Sequence, residues 1–325
     1  MYEKFYHFSG MPFQLTPDSR FFFSSKGHSR AIAHLIYGLS QGEGFIIVTG
    51  EVGAGKTTLV ERLWSELDRG TYTLARISTT QVSGEDLFRL TMAAFGIETE
   101  GLDKAGMLAR FEEMLTDHRI EGRHCILVVD EAQNLSLAGL EELRMLSNLT
   151  EGGRAALQTI LLGQPQFRAK LASPDLDQLR QRVLASYHLG PLDRAETQAY
   201  IDHRLTAVGW TGNPQWTADA YAAVHRQTGG IPRRINRLCS RVLLYGALEE
   251  ATVIVADAVN ATAEELLHDL EGDSADAVAA EQALPEAERS SLQARIQRLE
   301  AEVARQAQLF IKLAELLAGP PNGTR

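Results

Sequence analysis

Eight consecutive residues narrow the fold of this chain more than any others. Gly50-Glu51-Val52-Gly53-Ala54-Gly55-Lys56-Thr57 matches G-x-x-x-x-G-K-[ST] in full, directly after the apolar run Phe45–Thr49 and directly before the helical pattern Thr57–Leu67. A Walker A loop needs that context, a strand before and a helix after. Its glycines let the backbone curl so that successive N–H groups face one point, and the helix start adds the positive end of its dipole. The loop therefore predicts ATP held by residues 50–57, with Thr58 next to them. Lys56 is expected to reach the β- and γ-phosphates. The Thr57 hydroxyl is expected to ligate the Mg²⁺ that travels with the nucleotide.

Such a loop sits on a parallel sheet, and the wider pattern agrees. Short apolar runs at Phe45–Thr49, Thr73–Ser78, Cys125–Val129, Leu157–Leu162 and Ala185–Leu189 alternate with helical stretches at Thr57–Leu67, Gly84–Phe95, Lys104–His118 and Leu137–Leu149. Strands separated by helices imply βαβ units, here an α/β fold with a parallel five-stranded sheet. The third run ends in Asp130-Glu131. The C-terminal tips of parallel strands open on the ligand crevice, so both acids are expected beside the phosphate loop. Asp130 would hold Mg²⁺, usually through water. Glu131 would orient and polarise the attacking water as general base.

Six regions follow from these patterns. Residues 1–44 form an aromatic lead-in, with a helix at Ala31–Leu39, expected to pack on the core; Phe21–Phe23 pack there or form a sticky patch. Residues 45–190 are the α/β nucleotide-binding core. In residues 191–268, Glu196–Val208, Ala218–Gln227, Pro232–Glu249 and Val255–Asp269 read as helices, an all-helical lid with one short extended stretch at Thr252–Val255. Residues 269–288 are acidic and Ala-rich and read as a flexible linker. In 289–318, Leu292, Ile296, Leu299, Val303, Phe310, Leu313 and Leu317 keep a 3–4 spacing. That spacing predicts either a coiled coil or a helix folded back on the body. Residues 319–325 are Pro/Gly-rich and expected to be disordered.

Charge limits the partners. Thirty-two Lys and Arg against 42 Asp and Glu leave a net charge of -10, which argues against broad binding to DNA or acidic membranes while allowing a local basic patch. Cys125 and Cys239 have no metal-ligand spacing, nor do the nine histidines, and a reducing cytoplasm is the simplest setting. No window is apolar enough to span a bilayer, and no secretion signal is visible.

The combination of a Walker A loop, Asp-Glu after an apolar strand, and a helical second domain resembles the AAA+ ATPases. Asp130-Glu131-Ala132-Gln133-Asn134-Leu135, Glu141–Asn148 and Leu161-Leu162-Gly163-Gln164-Pro165 resemble the ExeA/GspA-type secretion ATPases. Pro12–Asp18, Ser25-Lys26-Gly27-His28, Leu179–Leu192 and Gly229–Asn236 look closer still to the ATPase of exosortase (PEP-CTERM) and exopolysaccharide loci. The resemblance covers roughly residues 1–268.

It implies further roles. Gln164 stands at the sensor-1 position, or caps a turn before Pro165. Arg233, with Arg234 as its neighbour, stands at the sensor-2 position on the lid, or is a surface arginine. Arg180 and Arg182 precede the fifth strand, where the family places an arginine finger that reaches a neighbour's nucleotide; either could serve, with Arg182 the first choice. Pro12, Phe13 and His28 are candidates for adenine contacts, or pack. The implied function is a cytoplasmic, self-associating Mg·ATP hydrolase, a ring or other oligomer, that drives or switches an envelope export system. It would sit at the inner membrane through a protein partner grasped by residues 292–317. Two other classes stand beside it. One is a DNA-directed regulator like the TniB/TnsC transposition ATPases, kept open by Arg233, Arg234, Arg237 and Arg241. The other is a scaffold that binds ATP and barely turns it over.

Overall fold

A computed structural model describes residues 2–16, 18–78, 84–151 and 154–268. Contacts divide the chain into two units, 1–263 and 264–325, and the sheet and the cavity belong to the first. The linker and coiled coil expected after residue 268 lie outside the described residues.

Five strands form one parallel sheet: β1 (Phe45–Gly50), β2 (Tyr72–Ser78), β3 (His124–Asp130), β4 (Leu157–Gly163) and β5 (Val183–Leu189), in the order β2-β3-β4-β1-β5. These are the five apolar runs of the sequence, each extended by a residue or two. β1 and β4 are buried along their whole length, as strands covered on both faces must be. The period-two alternation of a strand then sorts their side chains. Ile46, Val48, Ile126, Val128, Ile160 and Leu162 pack on one face with α1 (Lys26–Gln41) and α2 (Lys56–Glu66). Phe45, Ile47, Leu127, Val129 and Leu161 pack on the other with α3 (Gly84–Ala94), α4 (Lys104–Ile120) and α5 (Leu137–Leu146).

Helix α1 begins five residues before the periodic stretch at Ala31–Leu39. Ser25 caps it by accepting from the His28 N–H, and Gly42 ends it in the left-handed region. The helix and the turn that follows it are tied to the sheet by Gln158, a buried polar residue of β4 whose Nε2 donates to the carbonyls of Gly38 at 2.9 Å and Glu43 at 3.1 Å.

The helical part contains α6 (Arg194–Thr206), α7 (Ala218–Thr228), α8 (Pro232–Leu248) and a helix over 256–268. Asp193 and Glu196 close a reciprocal capping box at the start of α6, and Pro232 opens α8. The stretch at Thr252–Val255 is extended as expected: Val253–Ile254 pairs in parallel with Gln215–Trp216.

One buried arginine ties the lead-in to this helical part. Arg204 of α6 is 5% exposed. It donates from Nε to Pro12 O at 2.6 Å, from Nη2 to Gln14 O at 3.2 Å and from Nη1 to the Tyr200 hydroxyl at 2.8 Å. Its guanidinium lies 4.6 Å from the Phe21 ring centre. Arg204→Met keeps the stem and removes these donors, leaving buried acceptors unmatched. The expected cost is about 2–4 kcal/mol of stability, read from denaturant midpoints, with earlier proteolysis in residues 1–25.

Candidate active site

The parallel order brings the tips of β1, β4 and β3 side by side, so the phosphate loop, Gln164 and the Asp130-Glu131 pair share one end of the sheet. Gly53 and Gly55 sit at φ 80° and 99°, where a side chain is strained. Space forbids one as well. A Cβ on Gly53 would come within 2.3 Å of Arg233 Cβ, and one on Gly55 within 2.9 Å of His28 Nε2. Lys56 is 6% exposed and its Nζ donates to Gly50 O at 2.8 Å and Glu51 O at 3.1 Å. Burial pushes its pKa below the ordinary lysine value, while the carboxylates of Glu131, Asp130 and Glu51 pull the other way.

The Thr57 hydroxyl donates to Asp130 Oδ2 at 2.8 Å. A hydroxyl and a carboxylate at that separation are two hard oxygen donors, the set Mg²⁺ takes alongside water and phosphate oxygens. The residues therefore fit the metal the loop implies. When bound with nucleotide, it would neutralise phosphate charge. Arg76, on edge strand β2, donates from Nη2 to the same Oδ2 at 2.8 Å. No local signal marks Arg76, because only the pairing of β2 with β3 carries it to the acid.

Glu131 adopts the left-handed conformation, φ 54° and ψ 39°, and its N–H donates to Asp130 Oδ1 at 3.0 Å. Its Oε2 accepts from Gln164 Nε2 at 3.1 Å and from Gln133 Nε2. The side chain of Gln164 is thus turned to the candidate base. Gln133 is a second residue whose place at the site no sequence signal marks.

A cavity of about 360 Å³ opens over the loop, within the range of small-molecule sites. Val52 to Thr58, Glu131 and, from the first turn of α8, Arg233 line it. The Arg233 N–H also donates to Gly53 O at 3.2 Å, which joins the first turn of α8 to the phosphate loop. Gln14 to Thr16, Phe21 to Phe23 and His28 line it from the lead-in. His28 is pinned by Ser25 Oγ, 2.8 Å from its Nδ1, and burial pushes its pKa below the ordinary histidine value against the pull of Glu196. Pro12 and Phe13 do not line the cavity. Phe13 is buried in packing, and Pro12 gives its carbonyl to Arg204. The sticky-patch alternative for Phe21–Phe23 gives way to packing: Phe21 is buried and the other two rings are half-buried on the cavity wall.

Arg180 and Arg182 lie elsewhere. The carbonyl of Arg182 accepts from the Phe45 N–H, at the start of β1 and so at the opposite end of the sheet from the loop. Its Nη1 donates to Ser147 O at 3.1 Å and Ser147 Oγ at 3.2 Å. Arg180 pairs with Asp177 at 2.5 Å and donates to Leu171 O at 3.3 Å. Neither lines the cavity. Among the described residues, no cluster of His, Cys, Asp and Glu forms a metal site, and no helix is long and apolar enough to cross a membrane.

Residues 39–171 match the family model described as AAA domain. Over 248 residues the chain is 38% identical to General secretion pathway protein A of Aeromonas hydrophila, covering 75% of this chain and 44% of that protein. The chain thus spans less than half the length of this relative. Among solved structures, the ORC2 protein of Aeropyrum pernix superposes with a TM-score of 0.60 at 15% identity, over 78% of this chain and 71% of that one. The RuvB Holliday junction branch migration motor of Thermotoga maritima gives 0.52 at 20% identity, over 76% and 70%. At such identities these two likenesses are of fold alone.

Proposed function

We propose that this chain is an AAA+ ATPase of the ExeA/GspA type, as its AAA-domain match and its 38% identity to General secretion pathway protein A support, and that it hydrolyses Mg·ATP between core and lid and couples the cycle to envelope export. The observation that carries this reading is the Thr57–Asp130 contact at 2.8 Å, with Glu131 following Asp130 and the lid's Arg233 seated on the loop. That arrangement supplies two metal ligands, a base for the attacking water and a cation on a separate, helical part. Lys56 lies within the same loop, its ammonium on the loop carbonyls and placed to exchange them for phosphate oxygens.

In this reading Glu131 takes the water proton, and the developing charge is met by Lys56 and Arg233. Gln164 orients the water or senses the γ-phosphate. Loss of that phosphate removes what Arg233 holds, and the helical part shifts against the loop. Export of exopolysaccharide or of an exosortase-linked product is the specific process we favour. It would be reached from the cytoplasmic face through a partner held by 292–317, with the chain assembled in a ring or other oligomer. The relative named for general secretion and the resemblances at Pro12–Asp18 and Leu179–Leu192 support it.

The test is steady-state ATP hydrolysis against protein concentration, with and without duplex DNA. Specific activity is expected to rise with concentration and to ignore DNA. Activity that is independent of concentration would refute a shared site. Salt-dependent DNA binding that stimulates hydrolysis would favour the transposition-type regulator. An absence of turnover with intact nucleotide binding would favour the scaffold.

A further inference from the structure

The side-chain amide of Gln133 is the joint between the candidate base and the tip of β4. Its Oε1 accepts from the Gln164 backbone N–H at 3.0 Å. Its Nε2 donates to Glu131 Oε2. The orientation is forced, because a backbone N–H can only donate and so requires the oxygen end of the amide; the nitrogen end then faces the carboxylate. Gln164 donates its own Nε2 to that same Oε2 at 3.1 Å, and Gln166 Nε2 donates to Gln164 Oε1 at 2.8 Å. The main chain beneath Gln133 is held as well. Ala132–Asn134 form one 3-10 turn, and the Lys170 ammonium donates to the carbonyls of Gln133, at 3.2 Å, and Leu135.

We infer that Gln133 is a positioning residue for hydrolysis: it sets the Glu131 carboxylate and ties it to Gln164, so that the three act as one unit. The inference rests on the reading of Glu131 as general base. With Oε2 held by two amides, the carboxylate cannot rotate without breaking two hydrogen bonds. A base free to rotate loses its alignment with the water proton, and misplacement by about 1 Å costs on the order of 10²-fold in rate. Gln133 touches neither nucleotide nor water in this account and acts through Glu131 and Gln164.

The experiment measures turnover and binding of a fluorescent ATP analogue for the full-length chain and for Gln133→Ala, Gln133→Glu, Gln164→Ala and the Gln133→Ala/Gln164→Ala double variant. Gln133→Ala is expected to lower kcat about 10- to 100-fold while the analogue's Kd stays within about twofold. Gln133→Glu keeps the size and keeps an acceptor for the Gln164 N–H, but it turns an anion on Glu131, so it should be at least as slow. It also carries the test if the alanine variant folds poorly. The double variant should be no slower than the slower single one, the mark of groups acting as a unit. A Gln133→Ala or Gln133→Glu protein with parental kcat overturns the inference, as do losses that multiply in the double variant. If the parent chain itself does not hydrolyse ATP, the reading of Glu131 fails and takes this inference with it. An active parent with unaffected Gln133 variants removes the inference alone.

Discussion

Glu131→Gln is expected to bind ATP as the parent chain does and to hydrolyse it about 10²- to 10⁴-fold more slowly, the contribution of a positioned general base. The substitution isolates the chemistry because the two side chains have one shape. A glutamine oxygen can still accept from Gln133 and Gln164, the donors that hold Oε2. The Glu131 N–H can still donate to Asp130 Oδ1. Only the capacity to take a proton is lost. Binding should persist because Lys56, Thr57 and Asp130 are untouched. Single-turnover hydrolysis and analogue binding check the two halves separately. A variant that keeps more than about a tenth of parental turnover would place the base elsewhere.

The second large effect concerns the arginines at the far end of the sheet. β1 runs six residues from Phe45, where Arg182 is bonded, to Gly50 at the loop. At about 3.3 Å per residue the two ends lie roughly 17 Å apart. An arginine rooted there and engaged with Ser147 serves its own nucleotide poorly, and any catalytic use of it is for a neighbour's. On the proposal that Arg182 is an arginine finger for a neighbour's nucleotide, Arg182→Ala is expected to lower turnover about 10³-fold, the lower end for such a residue. Mixing inactive Arg182→Ala with inactive Glu131→Gln should restore activity. In an equal mixture about a quarter of the interfaces join an intact base to an intact arginine. If each variant is dead and the mixture stays dead, the arginine does not act across an interface. If Arg182→Ala keeps parental activity, the same pairing with Arg180→Ala decides between the two residues.

The parts legible beforehand share one property. The Walker A loop, the acids ending β3 and the five apolar runs are each written in a short stretch of chain, and their physics is local. Glycines permit positive φ, β-branched runs favour extension, and an acid at a parallel strand end faces the crevice. Local signals were also missed. Ser25, three residues before the N–H it caps, marks the true start of α1. The two-residue pairing of Thr150–Glu151 with Arg154–Ala155 follows α5, which stops at Leu146 before the end of its apolar pattern.

What sequence alone determined, then, is the phosphate loop, its acids and the alternation that builds the sheet. Folding decided which distant residues meet them. Gln133 and Gln164 are 31 positions apart and Arg76 and Asp130 are 54 apart, yet each pair is joined by a hydrogen bond. Arg204 reaches back to Pro12 across 192 residues. None of these contacts has a periodicity or motif, because nothing local specifies them. The first two depend on strand order and register, which bury whole faces and so are set by the summed packing of the core, and the third on the packing of the lead-in against α6. The same order carried Arg180 and Arg182 away from the cavity and set Gln164 beside Glu131, a separation that chain spacing could not express.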